Sequence, residues 1–380
     1  MNVVALIMLV FSILGAIDRI IGNRFGLCEE FEKGFKMLGN CALSMIGMIV
    51  IAPYLAELLM PVFNAVWRWF KLDPSVIPAL LFANDMGGAQ LALSIGQNSQ
   101  LAGFNGLVVS SMMGVTISFT IPYALSTVNR DRHRWILLGL LCGVVTIPVG
   151  CFIAGLMVKI PFLTLIYNLL PIIIFSGLIV FGLLKFPNVC VKIFSVIAVI
   201  IKIIITIGLA IGIIHFLTDW TLIKNVDTLE SGALICLNAC VVMSGAFPLI
   251  YIISKVLNKP LGKFGQKMNV NEISAVGLLS SLASSMTTFG VMDKMDDKGT
   301  MLNSAFSVSG AFVFAGHLAF TMAIDISYLP SMMVGKLISG VLAVVVAIFV
   351  YKRIANEKES SENENSPNEV KKPETVEVCN

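Results

Sequence analysis

Charged residues are scarce in this chain. Asp, Glu, Lys and Arg together make up 13% of its 380 residues, whereas hydrophobic residues make up 57%. So much apolar surface cannot be hidden inside a water-soluble globule. The formal net charge is only +3, and no cluster of Lys and Arg is dense enough to follow a phosphate backbone. The composition therefore predicts a membrane protein and argues against a nucleic-acid partner.

Sequence motifs of metal sites and of common enzymes are missing too. The eight cysteines lie mostly in apolar segments, without the CxxC or Cys/His spacing of a zinc site. Lysines offset the aspartates of the polar turn 293–299, which indicates a solvated turn and not a metal site. No nucleophile elbow or nucleotide-binding loop is present. We therefore expect no cofactor, no metal and no catalytic residue. The alternative is an intramembrane enzyme in which Asp85 and His317 act as acid and base.

Eleven apolar segments follow one another along the chain, and several exceed the roughly 18 residues needed to cross a hydrocarbon core. They lie at 2–17, 37–60, 76–95, 104–128, 135–158, 161–184, 193–217, 232–257, 273–292, 300–324 and 329–351. The first segment has no basic region before it and no small-residue cleavage site ahead of Asp18-Arg19, so we interpret it as an uncleaved span. The predicted fold class is an all-α membrane protein, a polytopic helical bundle.

Loop charge favours a particular topology. If all eleven segments crossed, the basic loop 129–134 would lie on the opposite side from the basic loop 18–36, against the positive-inside rule. The conflict disappears if segments 76–95 and 273–292, which are richest in polar and small residues, enter and leave on the same side. We therefore predict nine full spans and two re-entrant broken-helix hairpins, with the N-terminus outside and the C-terminus in the bacterial cytoplasm. Eleven full spans is the alternative.

The two parts of the chain repeat the same order of segments. At an offset of about 195 residues, four pairs align: 37–60 with 232–257, 76–95 with 273–292, 104–128 with 300–324, and 135–158 with 329–351. The predicted topology inserts one hairpin from each side, which is typical of the inverted repeats of secondary transporters. The predicted organisation is a transmembrane domain 1–356, with repeat halves at about 1–158 and 193–351 linked by span 161–184, and a disordered polar cytoplasmic tail 357–380.

Asp85 is the main candidate for substrate binding. An ionised carboxylate inside a membrane segment is expensive and marks a functional site by default. Gly87 and Gly88 follow it and relax the backbone, while Asn84 and Gln90 supply neutral hydrogen-bonding groups. Our hypothesis is that Asp85 is the counter-ion of a small cationic substrate. The alternatives are that it caps a half-helix, carries a coupling proton, or pairs with one of the lysines Lys192, Lys202 and Lys336.

Hydroxyl groups are concentrated in the second predicted hairpin. Ser284, Ser285 and Thr287 could exchange hydrogen bonds with an alcohol, although such residues also pack membrane helices together. His317 lies in an apolar helix and could bind a proton or a hydroxyl group, and a packing role is equally open. For Lys336 we favour a structural pair with an intramembrane acid.

Several of these residues belong to motifs of a known family. The motifs are Asn84-Asp85-Met86-Gly87-Gly88, Ser111-Met112-Met113-Gly114, Phe289-Gly290-Val291-Met292, Lys294-Met295-Asp296 and Gly316-His317-Leu318. In this order they resemble the ethanolamine permease family of bacterial ethanolamine-utilisation systems, over about residues 1–350. Ser111 joins the predicted substrate-binding residues. Ser284, Ser285 and Thr287 depart from the family pattern, where amide side chains and a proline are expected.

The resemblance implies uptake of ethanolamine, as its protonated cation, across the cytoplasmic membrane for breakdown by the ethanolamine ammonia-lyase pathway. The implied partners are the small-molecule substrate and membrane lipid, and homo-oligomerisation is open. A transporter of another small amine or cation is the main alternative within the same class. Passive facilitated diffusion and proton or sodium symport are both open, because one acid and one histidine suit either mechanism.

Overall fold

The computed structural model describes residues 3–364, with the backbone alone described at 62–69, 257–266 and 357–364. The regular secondary structure of these residues is entirely helical. The α-helices up to residue 157 are α1 (Val3–Ile20), α2 (Leu27–Lys36), α3 (Leu38–Cys41), α4 (Gly47–Phe70), α5 (Val76–Leu81), α6 (Gly88–Ile95), α7 (Ser99–Gly103), α8 (Ile121–Thr127) and α9 (His133–Met157). The later α-helices are α10 (Phe162–Lys185), α11 (Pro187–Thr218), α12 (Leu229–Met268), α13 (Glu272–Ala283), α14 (Ser285–Gly290), α15 (Asp297–Ser309), α16 (Gly316–Ile324) and α17 (Leu329–Glu364).

Eight helical stretches of the described residues are long and apolar enough to cross a membrane. They are Val3–Ile20, Leu27–Pro61, Ser99–Thr127, Arg130–Met157, Phe162–Lys185, Pro187–Thr218, Leu229–Val256 and Ile326–Asn356. The prediction of an all-α polytopic membrane protein is therefore confirmed. The span count of nine and the topology stay predictions. The disordered cytoplasmic tail 357–380 also stays a prediction, and its residues 365–380 lie outside the described part of the chain.

Both segments that the sequence predicts as hairpins are broken into short helices. The first consists of α5, a 3₁₀ turn Asn84–Met86 and α6. The second consists of α13 and α14, which are interrupted at Ser284, where the backbone is extended. Neither contains a helix long enough to cross a membrane. The polar and small residues of each segment thus coincide with a real break in the helix.

A third break was not expected from the sequence. The sequence predicts one continuous span at 300–324. The structure instead has two helices there, α15 and α16, separated by residues 310–315. The backbone N–H of Phe312 donates to the carbonyl of Ser281 at 3.0 Å, and that of Phe314 donates to the carbonyl of Leu282 at 3.0 Å. Carbonyls in the last turn of a helix have no partner within it. The break is therefore stabilised by the end of α13, and each segment satisfies the other's backbone groups.

The stretch Ser99–Thr127 lies at the centre of the protein, with almost all of its residues buried. Most of it is π-helical, over Phe104–Gly114 and Thr116–Thr120. Gly114 lies where a Cβ atom would collide with the carbonyl of Phe82, so glycine lets this stretch approach the first hairpin closely. π-Helical turns are frequent at functional sites. The central stretch is thus both the core of the fold and one wall of the first break.

A carboxylate closes the base of each hairpin. Asp73 accepts hydrogen bonds from the backbone N–H of Asn98 at 2.8 Å and of Gln97 at 3.1 Å. Asp296 accepts one from the backbone N–H of Asn271 at 2.9 Å. In both hairpins the Asp and Asn are 25 residues apart, but their order along the chain is exchanged. The two contacts thus span the same length of chain with exchanged residue types, and the inverted repeat itself stays a prediction.

Candidate functional site

The break in the first hairpin places Asp85 inside the protein. Asn84, Asp85 and Met86 form a single 3₁₀ turn between α5 and α6. Gly87 ends this turn with a φ of 95°, a left-handed conformation that glycine adopts without strain. The turn packs against α16 on one side and against the π-helical stretch Phe104–Gly114 on another. Side chains from three parts of the chain therefore meet at Asp85.

Lys336 is the cation associated with Asp85. Asp85 is half-buried and interacts electrostatically with Lys336, which is fully buried on α17. The Lys336 ammonium donates a hydrogen bond of 2.6 Å to the backbone carbonyl of Ser111. Among the ion pairs of the described residues, none within 4.0 Å joins the two groups directly. Of the three lysines that the sequence left open, Lys336 is the one that interacts electrostatically with Asp85, whereas Lys192 and Lys202 are exposed on α11.

Several buried polar groups around Asp85 have no hydrogen-bond partner. Asn84 is fully buried, and neither its amide nitrogen nor its amide oxygen is bonded. His317, also fully buried, has two unbonded ring nitrogens and interacts electrostatically with Lys336. The hydroxyl of Thr321, one turn further along α16, is buried and unbonded as well. Buried polar groups normally find partners, so this cluster is suited to hold a polar ligand.

The other predicted site residues are placed differently. Gln90 is half-buried on α6 with an unbonded amide nitrogen, and Gly88 is buried beside the break. Ser111 donates its hydroxyl to the carbonyl of Val108 at 2.8 Å, so only its own carbonyl faces Lys336. Ser111 therefore contacts Lys336 through its backbone carbonyl, whereas its hydroxyl is bonded within its own helical stretch.

The second hairpin uses most of its hydroxyl groups internally. Ser281 and Thr288 are 2.8 Å apart, and both bond to the carbonyl of Gly277. Ser285 is fully buried with an unbonded hydroxyl. Ser284 is half-buried and Thr287 is exposed. Of the three predicted hydroxyls, therefore, only that of Ser285 is both fully buried and free for a ligand, and no described contact joins it to Asp85.

A row of aromatic rings leads from His317 to the second hairpin. The ring of Phe312 lies 5.2 Å from that of His317 and 5.9 Å from that of Phe119. Phe119 stacks on Tyr123 at 5.1 Å, and Tyr123 lies 6.2 Å from Phe289 of α14, within the second hairpin. The surface between His317 and the second hairpin is therefore largely aromatic along this row.

Sequence reasoning did not find Thr321 or the contact of Lys336 with Ser111. Thr321 lies four residues after His317, and residues at this spacing share one face of a helix. That spacing was a usable signal. The contact between Lys336 and Ser111 had none, because it joins residues 225 positions apart through a backbone carbonyl.

Long apolar helices surround a break that holds a half-buried acid, and a buried lysine and unbonded polar groups accompany it. This combination is the arrangement of a polytopic membrane transport protein. Residues 1–350 match the family described as "Ethanolamine utilisation protein, EutH", and the chain belongs to this family.

Three relatives carry the name "Probable ethanolamine permease EutH". The protein of Listeria monocytogenes serotype 1/2a is 39% identical, over 95% of this chain and 97% of its own length. The proteins of Salmonella typhimurium and Escherichia coli K12 are each 34% identical, over 92% of this chain and 95% of their own lengths. No solved structure matches the chain. Permeases are transport proteins, so this chain is a transporter and not an enzyme.

Proposed function

We propose that this protein takes up ethanolamine, as its protonated cation, across the bacterial cytoplasmic membrane. The names of the relatives support ethanolamine as the substrate. The positive-inside pattern of the loops supports an external N-terminus and a cytoplasmic C-terminus. The imported ethanolamine would feed breakdown by ethanolamine ammonia-lyase.

The chemistry of the site fits this substrate. A primary amine such as that of ethanolamine is an ammonium ion near neutral pH. Its N–H groups need acceptors, and the Asp85 carboxylate is an acceptor with the opposite charge. Its hydroxyl can donate one hydrogen bond and accept up to two, which the unbonded atoms of Asn84, His317 and Thr321 could satisfy. The single observation that carries the proposal is this group of unbonded buried polar atoms beside one intramembrane carboxylate.

A carrier for another small amine or cation is the second candidate. The site has one carboxylate and few polar groups, so it fits a small ammonium ion in general. A hydroxyl is what sets ethanolamine apart from ethylamine, and the cluster supplies more hydrogen-bonding groups than an ammonium alone requires. Competition by ethylamine as strong as that by unlabelled ethanolamine would favour the second candidate.

Uptake of labelled ethanolamine into proteoliposomes is the direct test. We expect saturable uptake and counterflow with purified protein, and neither in protein-free vesicles. Uptake with and without a pH or sodium gradient separates facilitated diffusion from symport. Absence of saturable uptake by correctly folded protein under every gradient would contradict the proposal.

Replacement of Asp85 by asparagine tests the site. Loss of one charge-assisted hydrogen bond is expected to weaken binding by about 1.5–3 kcal/mol, which corresponds to a rise in KM of roughly 10- to 100-fold. The matched control is Asp131→Asn, which makes the same change at an exposed position outside the α-helices. Equal KM values for the two variants and the unaltered protein would remove Asp85 from the site.

A further inference from the structure

Lys336 is an unusual residue for the interior of a membrane protein. Its side chain is fully buried on α17. Asp85, His317 and the Cys151 thiol of α9 are the titratable groups that interact with it electrostatically. Among the ion pairs of the described residues none includes Lys336, so it has no direct salt bridge there, and its structural pairing with an intramembrane acid stays a prediction. A buried cation without a direct ion pair calls for a functional explanation.

The hydrogen bonds of Lys336 leave room for another group. A lysine ammonium has three N–H donors. The described hydrogen bonds of this side chain use one acceptor, the Ser111 carbonyl at 2.6 Å. That carbonyl belongs to the π-helical stretch that packs against the Asp85 turn. The π-helical stretch thus contacts both the lysine ammonium and the turn that carries the carboxylate, and the two charged groups interact electrostatically.

The end of a lysine side chain and a protonated ethanolamine carry the same chemical group, a primary ammonium on a methylene carbon. Both favour a carboxylate or a backbone carbonyl as acceptor. We propose that Lys336 is a built-in competitor of the substrate: its ammonium compensates the charge of Asp85 in the empty carrier, and the substrate ammonium takes over this role on binding. This inference rests on the proposed function, since it concerns the same site.

Compensation of Asp85 matters most when no substrate is bound. After releasing substrate, a carrier must reorient with its site empty, and an uncompensated buried carboxylate is strongly unfavourable. With Lys336 present, Asp85 and Lys336 together carry no net charge in the empty carrier. In the loaded carrier the substrate ammonium compensates Asp85 and the lysine ammonium keeps its hydrogen bond to the Ser111 carbonyl, so the loaded site carries one net positive charge. Without Lys336, a substrate ammonium would be needed to neutralise Asp85 each time the carrier reorients, whichever side it opens to. The carrier would then exchange substrate well but complete net uptake poorly.

The test is Lys336→Met, which keeps an unbranched chain and removes the charge. Because a competing cation is gone, ethanolamine should bind about tenfold more tightly, a gain of about 1.4 kcal/mol. In proteoliposomes, exchange of labelled for unlabelled ethanolamine should persist, while net uptake into empty vesicles falls about tenfold or more. Lys336→Arg retains the positive charge and should keep more net uptake, relative to exchange, than Lys336→Met.

Other outcomes would overturn the inference. If Lys336→Met binds ethanolamine more weakly, or loses exchange and net uptake together, the lysine supports the substrate and does not compete with it. Equal net uptake by the variant and the unaltered protein would also refute it. If the unaltered protein takes up no ethanolamine, both the proposed function and the competitor role are wrong. If it takes up ethanolamine normally and Lys336→Met gives one of the results just described, only the competitor role is wrong.

A double variant keeps the test decisive if Lys336→Met does not fold. Asp85→Asn together with Lys336→Met removes both buried charges, so no uncompensated carboxylate remains. We expect the double variant to fold, and its ratio of net uptake to exchange to return towards that of the unaltered protein, whatever its affinity. A double variant that folds but has a ratio of net uptake to exchange about tenfold or more below that of the unaltered protein would contradict the proposal, because its site holds no uncompensated carboxylate.

Discussion

Replacement of Asp73 by asparagine should destabilise the first hairpin. The Oδ2 atom of Asp73 accepts hydrogen bonds from the backbone N–H groups of Gln97 and Asn98, and its Oδ1 atom accepts from the backbone N–H of Ser75 at 3.0 Å and from its hydroxyl at 2.6 Å. An asparagine can present one oxygen, but its NH₂ group must then face either the N–H groups of Gln97 and Asn98 or the N–H and hydroxyl of Ser75. Losing two charge-assisted hydrogen bonds at about 1.5 kcal/mol each predicts a destabilisation of about 3 kcal/mol.

The measurement is thermal denaturation of the purified protein in detergent, followed by the loss of its monodisperse peak in size-exclusion chromatography. Asp131→Asn is the matched control, because Asp131 is exposed. Asp296→Asn should give a loss comparable to that of Asp73→Asn, since Asp296 also accepts from Asn271, Gly299 and Ser274. A denaturation midpoint for Asp73→Asn equal to that of the control would refute the reasoning from these hydrogen bonds.

Two further predictions concern the substrate. Thr321→Val is expected to raise the KM for ethanolamine by roughly tenfold through loss of one hydrogen bond, with little change in stability because the hydroxyl is unbonded. The control Thr206→Val alters an exposed hydroxyl that bonds only within α11, and equal KM values for both variants would contradict a binding role. Growth on ethanolamine should depend on this protein more at acidic than at alkaline external pH, because acid depletes the neutral amine that leaks through lipid; equal dependence, measured with a deletion strain, would count against transport of the cation.

The fold class and two of the three helix breaks could be predicted from the sequence. Hydrophobic runs long enough to cross a membrane are visible without any tertiary information. The run Asn84 to Gly88 and the serines around Ser284 interrupt such runs, and the structure places breaks at both positions. Local composition was sufficient here, because a cluster of polar and flexible residues is unfavourable in a continuous membrane helix and therefore indicates a break.

The break at 310–315 could not be predicted in this way. Its residues are mostly apolar, and its conformation depends on hydrogen bonds to Ser281 and Leu282, which are distant in sequence. Phe312 has a φ of 62°, in the left-handed region that a bulky side chain seldom adopts. Such a conformation persists only where the surrounding structure enforces it. Tertiary contacts therefore decide this break, as they decide the approach of Lys336 to Ser111.

The break at 310–315 also determines where α16 begins. The break at 310–315 allows α16 to begin at Gly316 and to present His317 and Thr321 to the Asp85 turn. The same break is bonded to the end of α13, and the ring of its Phe312 lies 5.2 Å from that of His317. A carrier must change the surroundings of its site when it opens to the other side. In this fold, the segment between α15 and α16 joins the end of α13 to the helix that packs against the Asp85 turn.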